Sequence, residues 1–318
     1  MISLSIVLKF IVAAVGAGTP LLFGTVGEIL SEKVGHLNLG VEGMMAIGAV
    51  AGFAAGFATG NLPLAMLAAF GAGMLAALIY AVLTIGFMAN QNVIGLTMTI
   101  FGVGFANFIG VYMVSTTGTN NWQLPAGIID QMKNVQIPFL SDIPILGKLL
   151  FSYDPFTYVG IIVALICGYY LFRTKAGLNT QAIGENPSAA DAASIQVTRW
   201  KYINIVLGGG ICGIGGAYCS MVINGGIWIS DCVGGLGWIA VALVIFASWK
   251  PHLAILGSFV FGALRILKYY MPAVIPIAFF DMLPFVITAI VLLMASIRGA
   301  KGSHIPEHLG MNYFREER

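Results

Sequence analysis

Residues 36–59 read HLNLGVEGMMAIGAVAGFAAGFAT. From Leu39 onward the only ionisable side chain is Glu42, and the run is about as long as a helix needs to cross a bilayer. The acid sits near its start, behind a lead-in that holds Asn38 and Gly40. The rest of the chain decides how to read it. Of 318 residues, 58% are hydrophobic and 9% charged, and mean hydropathy is +0.92. Soluble domains are about a quarter charged, so this chain cannot cover a water-facing surface. The composition predicts an all-α, polytopic membrane helix bundle.

Windows of about 19 residues give apolar runs at 5–27, 38–59, 63–88, 92–115, 156–172, 203–222, 234–248, 252–270 and 281–297. The expectation is nine transmembrane helices, or ten if one run is broken or 116–155 holds a re-entrant piece. Run 5–27 reads as a span rather than a cleaved leader, being long enough to cross and leading into another span. Residues 1–298 form a single transmembrane domain, and 299–318 a tail. Lys and Arg set the orientation. With 173–202 inside, alternation also puts 31–37, 89–91, 249–251 and the tail inside. Those segments hold ten of the 15 Lys and Arg, which predicts an outer N-terminus, a cytoplasmic C-terminus and an external segment at 116–155.

The 41 glycines fall largely in strings such as GAVAGFAAGFATG (48–60) and LGGGICGIGGAY (207–218). Lipid gives helices no hydrophobic reason to associate, so small residues permit close backbone contact instead. Gly208, Gly210 and Gly213 match G-x-G-x-x-G, but inside an apolar run the reading is helix packing rather than dinucleotide binding. No phosphate-binding loop occurs. A net charge of +2 without a basic patch excludes a nucleic-acid partner. Cys167, Cys212, Cys219 and Cys232 show no metal-ligand spacing, and three lie in apolar runs.

Segment 173–201, RTKAGLNTQAIGENPSAADAASIQVTRWK, is the longest polar stretch expected inside. Asn186 before Pro187 is a good helix start, and Ser188 with Asp191 offers a capping box one register later. The short helix expected over about 187–195 either rests on its own bundle or docks a partner.

Within that segment, GLNTQAIGENPSAA resembles the ATPase-contacting loop of ABC-importer permeases of the branched-chain amino acid, simple sugar and nucleoside group. The similarity continues through GGICGIGGAY, includes GHLNLGVEGMM near the start, and reaches FGALRILKYY, Pro272 and DMLPFVITAIVLL near the end. The early motif looks most like the nucleoside-type subgroup, and tail 299–318 matches no motif of the group. The resemblance implies a multi-pass permease of the bacterial plasma membrane. Its partners would be a second, homologous permease chain, cytoplasmic ATPases that bind the ATP, and an external substrate-binding protein or lipoprotein. Gly184, Glu185, Asn186, Pro187, Ala189, Ala190 and Asp191 would form the coupling helix. The chain would contain no catalytic residue and no cofactor of its own.

Ionisable residues in lipid normally face an interior or a cavity. Glu42 is read as buried or pathway-lining, against reaching headgroup water or pairing with Lys33. Asn38, Gly40 and Gly43 suggest a broken or closely packed helix start whose backbone groups need partners. In NQNVIGLTMT (90–99), Asn92, Thr97 and Thr99 enter the apolar run and either bond neighbouring helices or meet a hydroxylated solute. Asn107 lies deeper and is read the same way. A neutral polar lining suits a nucleoside or a sugar, and Phe101, Phe105, Trp238 and Phe246 are available for stacking. Arg265 and Lys268 are read as reaching outer headgroups. An ion-coupled transporter would carry a relay of buried acids or histidines, and on the sequence only Glu42 qualifies. An intramembrane enzyme would need paired catalytic groups, whereas His36, His252, His304 and His308 all fall at or beyond span ends.

Overall fold

The structure, a computed structural model, describes residues 4–118, 121–135, 147, 149, 151–270, 276–297 and 305–314. Residues 119–120, 136–146, 148 and 150 of segment 116–155, Pro272, and residues 299–304 and 315–318 of the tail lie outside the described residues.

Each of the nine apolar runs holds a helix, and local chemistry explains where several begin and end. Helix α1 covers Leu4–Lys33 and α2 Val41–Thr59. Helix α3 (Leu62–Ala81, extended by a wider turn to Gly86) starts where Asn61 accepts the Leu64 N–H. Helix α4 (Gln91–Thr117) starts under Asn90, which accepts from Asn92 and Val93. Short α5 (Ala126–Gln131) follows, then α6 (Pro155–Arg173), where Asp154 caps a proline-led first turn. Gly60 and Gly118 end α2 and α4 in the left-handed region, the usual helix stop. Next come α7 (Lys175–Glu185), α8 (Pro187–Ala192) and α9 (Val197–Tyr218, with a wider turn to Ile223). The last three are α10 (Leu236–Phe246), α11 (Pro251–Ile266) and α12 (Ile277–Ile297).

Helices α2 and α9 form the centre. Residues 41–50 and 208–220 are buried throughout. Glycine permits this: a Cβ at Gly48 would overlap the Gly213 backbone, one at Gly27 of α1 or at Gly208 would overlap the other's carbonyl, and one at Gly213 would overlap the Ala69 carbonyl of α3. Gly210 lies on Phe70 and Met74 of α3. The G-x-G-x-x-G string therefore serves contacts with α1, α2 and α3, as packing in lipid requires.

Two elements differ from the expectation. Among the described residues, seven helices are long and apolar enough to cross a membrane, and α10 is too short. Its 11 residues span about 16 Å, roughly half of a hydrocarbon core about 30 Å thick. The preceding stretch 224–235 is irregular because Gly225, Gly226, Asp231, Gly234 and Gly235 all take positive φ. The ninth run is the 21-residue α12, some of whose side chains lie outside the described residues. The second difference is α1, which continues six residues past the run ending at 27. That extension buries Glu28, Ser31, Glu32 and Lys33, so Glu42 is not the only acid inside the bundle. Glu28 accepts the Asn38 N–H at 2.9 Å and Glu32 the Trp249 indole N–H at 2.5 Å.

The segments that the charge count puts on one side meet at one end of the bundle. Gly184 lies on the Lys33 carbonyl, Trp249 reaches Glu32, and residues 305–314 cross over them. His308 N–H donates to the Gly184 carbonyl (3.0 Å), Gly310 N–H to Gly35 (3.2 Å) and Asn312 Nδ2 to Met88 (2.6 Å). At the opposite end residues 121–135 fold onto the α2–α3 turn. There the Gln131 side chain accepts from Leu62 N–H and donates to the Gly60 carbonyl, both at 3.0 Å.

Candidate functional site

The site is built on the lead-in to α2. After α1 ends, Gly35 (φ +88°) reverses the chain, and residues 36–40 return into the bundle without helical structure. Backbone polar groups in such a place must find partners, and three helices supply them. Leu37 N–H donates to Gln91 Oε1 and Asn38 N–H to Glu28 Oε1, both at 2.9 Å. Tyr80 donates its hydroxyl to the Leu37 carbonyl (2.8 Å) and Thr99 to the Leu39 carbonyl (2.9 Å). The Asn38 side chain itself accepts from Gly40 N–H at 2.9 Å. Asn38 and Thr99 thus hold the lead-in in shape.

This geometry delivers Glu42 to the start of α10. Its Oε1 accepts the Gly235 N–H at 2.8 Å and its Oε2 the Gly237 N–H at 2.6 Å, and the residue is 6% exposed. The first N–H groups of a helix lack intrahelical partners and carry the positive end of its dipole. A carboxylate there makes two charge-assisted bonds, which offsets the cost of keeping an acid away from water. Gly237 must be glycine, because a Cβ would lie 2.5 Å from the Glu42 backbone. Glu42 is therefore a cap supplied by one helix to another that begins inside the bundle.

Beside this cap lies a cavity of about 210 Å³ between α2, α4 and the 224–235 segment. Asn107 and Asp231 form one side: Asn107 Nδ2 donates to Asp231 Oδ1 (2.8 Å), and the Asp231 N–H donates back to Asn107 Oδ1 (3.0 Å). Trp228 closes another side. Its ring lies 5.6 Å from Trp122 and 5.6 Å from Phe53, centroid to centroid, and the indole N–H groups of both tryptophans are buried without partners. The 224–235 segment is held from outside by Leu124 N–H to the Gly226 carbonyl (2.8 Å) and Trp228 N–H to the Trp122 carbonyl (2.9 Å). The cavity thus offers an aromatic wall at Trp228 and carboxylate acceptors.

The structure brings Glu42 and Asn107 to one cavity and places the other candidates elsewhere. Asn92 and Thr97 face outward on α4, where Thr97 donates to the carbonyl of Val93 in its own helix (2.8 Å). Phe101 and Phe105 stack on each other on that outer face, with centroids 5.9 Å apart. Trp238 and Phe246 lie partly exposed on α10. Asp231 and Trp228 went unread in the sequence. The glycine pairs 225–226 and 234–235 are turn signals that mark this stretch as a loop inside an otherwise apolar region.

At the end where the Lys- and Arg-rich segments meet, Asn186 Oδ1 accepts the Ala189 N–H at 3.0 Å, with Pro187 in the first turn of α8. The Asn186 register is the one adopted. Helix α8 ends at Ala192, short of 195, because Ser194 turns left-handed (φ +63°). Gly184, Pro187 and Ala190 face the bundle, while Glu185, Asn186, Ser188 and Ala189 face outward. Asp191 accepts the Tyr313 hydroxyl at 3.0 Å, and Glu185 the Glu307 N–H at 3.3 Å. The helix rests on its own bundle with one face and leaves the other free.

The profile of the family described as branched-chain amino acid transport system / permease component matches residues 10–292. The chain is 35% identical over 256 residues to the putative glucose ABC transporter permease protein TsgC13 of Haloferax volcanii, covering 80% of this chain and 75% of that protein. It is 32% identical over 311 residues to the nucleoside ABC transporter permease protein NupC of Lactococcus lactis, covering 94% of each. It is also 32% identical over 286 residues to the guanosine ABC transporter permease protein NupQ of Bacillus subtilis, covering 86% and 87%. A buried, glycine-packed helix bundle that matches this profile over nearly its whole length belongs to that family: the chain is an ABC-transporter permease.

Proposed function

We propose that this chain forms one half of the membrane path of an ATP-driven nucleoside importer, with a second homologous permease supplying the other half. The observation that carries the reading is the cavity beside the Glu42 cap, with an aromatic wall at Trp228 and neutral or acceptor groups at Asn107 and Asp231. A nucleobase stacks on such rings, and a ribose donates hydroxyls to such acceptors. At about 210 Å³ the cavity is smaller than the ~300–1,000 Å³ of complete small-molecule sites, as expected of one wall of a shared site. The exposed stripe of α4, with Ile100, Phe101, Phe108 and Val111, adjoins Asn107 and suits the second chain.

In this reading the end that holds segment 173–201 is cytoplasmic, as is the C-terminus, and the outward face of α8 meets the ATPase. A continuous set of contacts runs from there to the cavity. Gly184 sits on the end of α1, Glu28 of α1 holds the lead-in, and Glu42 at its far end holds α10. ATPase closure would tilt α8 and α1 and so move the half-helix against α4, one of two packings in alternating access. ATP is bound by the partner subunits, and an external binding protein delivers solute at the end carrying 121–135.

A sugar importer is the second reading, favoured by the similarity to TsgC13. Uptake of radiolabelled uridine and guanosine by cells with and without this chain, in competition with ribose, glucose and leucine, decides between them. Uptake that depends on the chain and is blocked by unlabelled nucleosides supports the first. Uptake blocked only by sugars replaces it with the second.

A further inference from the structure

A second and larger cavity, about 760 Å³, opens at the end of the bundle where α8 rests and shares no lining residue with the cavity beside the Glu42 cap. Four separate parts of the chain wall it: the Gly35–His36 turn, the wide turn after α3, the link from α8 into α9, and the tail at Asn312 and Tyr313. Its charge is lopsided. Arg199, Lys201 and His36 line it, and Lys201 is only 4% exposed. Among the described residues the one acid in the wall is Asp191, which already takes the Tyr313 hydroxyl.

His36 is the telling residue. It is 1% exposed, and neither ring nitrogen has a hydrogen-bond partner. Nearby His308 likewise has a buried Nδ1 without a partner. Burial, followed by the Lys201 charge, pushes both imidazoles below their ordinary range. Buried polar groups are almost always satisfied, and a buried cation without an acid is costly. An anion bound here would answer both deficits. Hydroxyl donors at Ser194 and Thr198 stand in the same wall, and the volume falls in the ordinary range for small-molecule sites.

We propose that this cavity binds a phosphate group, carried by a soluble metabolite or by an anionic lipid headgroup, on Arg199, Lys201 and His36. Bound phosphate would tie the α8–α9 link, the lead-in to α2 and the tail together, and so stiffen the end through which the bundle is driven. The inference is independent of which solute crosses the membrane.

The test uses the full chain in nanodiscs. In phosphatidylcholine discs, radiolabelled pyrophosphate should bind saturably at one per chain. Arg199→Gln, at an exposed position that leaves the fold intact, should weaken that binding about tenfold or more. Lys201→Gln should do the same, while Lys175→Gln, an exposed charge at the same end outside the cavity, should leave it nearly unchanged. In discs containing phosphatidylglycerol, native mass spectrometry reads whether one anionic lipid is retained. A lipid held by the wild type and lost from Arg199→Gln, with no pyrophosphate binding, assigns the site to a headgroup. Absence of both kinds of binding, or equal weakening by Lys175→Gln, overturns the proposal.

Discussion

Replacing Glu42 by glutamine keeps size and shape and removes the charge. The native carboxylate accepts two N–H groups at the start of α10, at 2.8 and 2.6 Å. Hydrogen bonds to a charged group contribute about 1.5–3 kcal/mol each and neutral ones about 0.5–1.5. A carboxamide has one acceptor oxygen, so one bond survives in its neutral form and the other N–H faces an NH₂ group. The net loss is about 2–4 kcal/mol, with roughly 0.3–1 kcal/mol more from the lost charge–dipole term. Because α10 is a short helix started inside the bundle, this loss should fall on that helix and the cavity rather than on the whole bundle. The assay pairs membrane insertion and thermal unfolding in nanodiscs with nucleoside uptake. The expected result is normal insertion, a lowered melting temperature and uptake reduced at least tenfold. Glu42→Asp, one methylene shorter, should retain one bond and give an intermediate value. Wild-type melting and wild-type uptake in Glu42→Gln would refute the capping argument.

Gly213→Leu should prevent folding of the bundle, because the α3 backbone at Ala69 and Gly73 occupies the space a side chain would need; protease sensitivity in membranes reads this out, and a protected, active variant contradicts the packing. Asn186→Ala should remove the α8 cap and cost about 1 kcal/mol, read as faster hydrogen exchange at 187–192 with the core unchanged. Acidification should destabilise the chain through His36. Burial holds its folded pKa below the ordinary value, so the unfolded imidazole takes up a proton below about pH 6.5 while the folded one stays neutral. Stability contributed by this residue is thus complete above that value and falls as pH drops from 7 to 5. A melting-temperature profile should show a smaller fall in His36→Gln, and an identical slope would rule His36 out as its source.

Much of the bundle was legible because its signals are local. Runs of apolar residues and Asn186 before Pro187 each act within a few residues of themselves. The parts that were not legible depend on distant partners. Run 234–248 has the length of a short span, yet the helix starts only after Gly235 and stops before Ser248 and Trp249, all with positive φ. Run 5–27 seemed to end at charge, but Glu28 and Glu32 continue the helix because Asn38 and Trp249 bring them donors. Asp231 carries no local signal, since its partner Asn107 lies 124 positions away. Residues 305–314 of the tail, without a recognisable motif, prove to be a strap over Gly184 and Gly35.

The central claim is that α8 transmits ATP-driven motion to a nucleoside path through α1 and Glu42. The most direct measurement is ATP-dependent uridine uptake in proteoliposomes holding the complete importer, comparing wild type with Ala189→Arg and Ser188→Arg. Both positions face outward from α8, so folding and external capture of uridine should persist. The account predicts that uptake is abolished in both variants while uridine binding remains. Uptake at the wild-type rate in either variant, or wild-type uptake that continues without ATP, would contradict it.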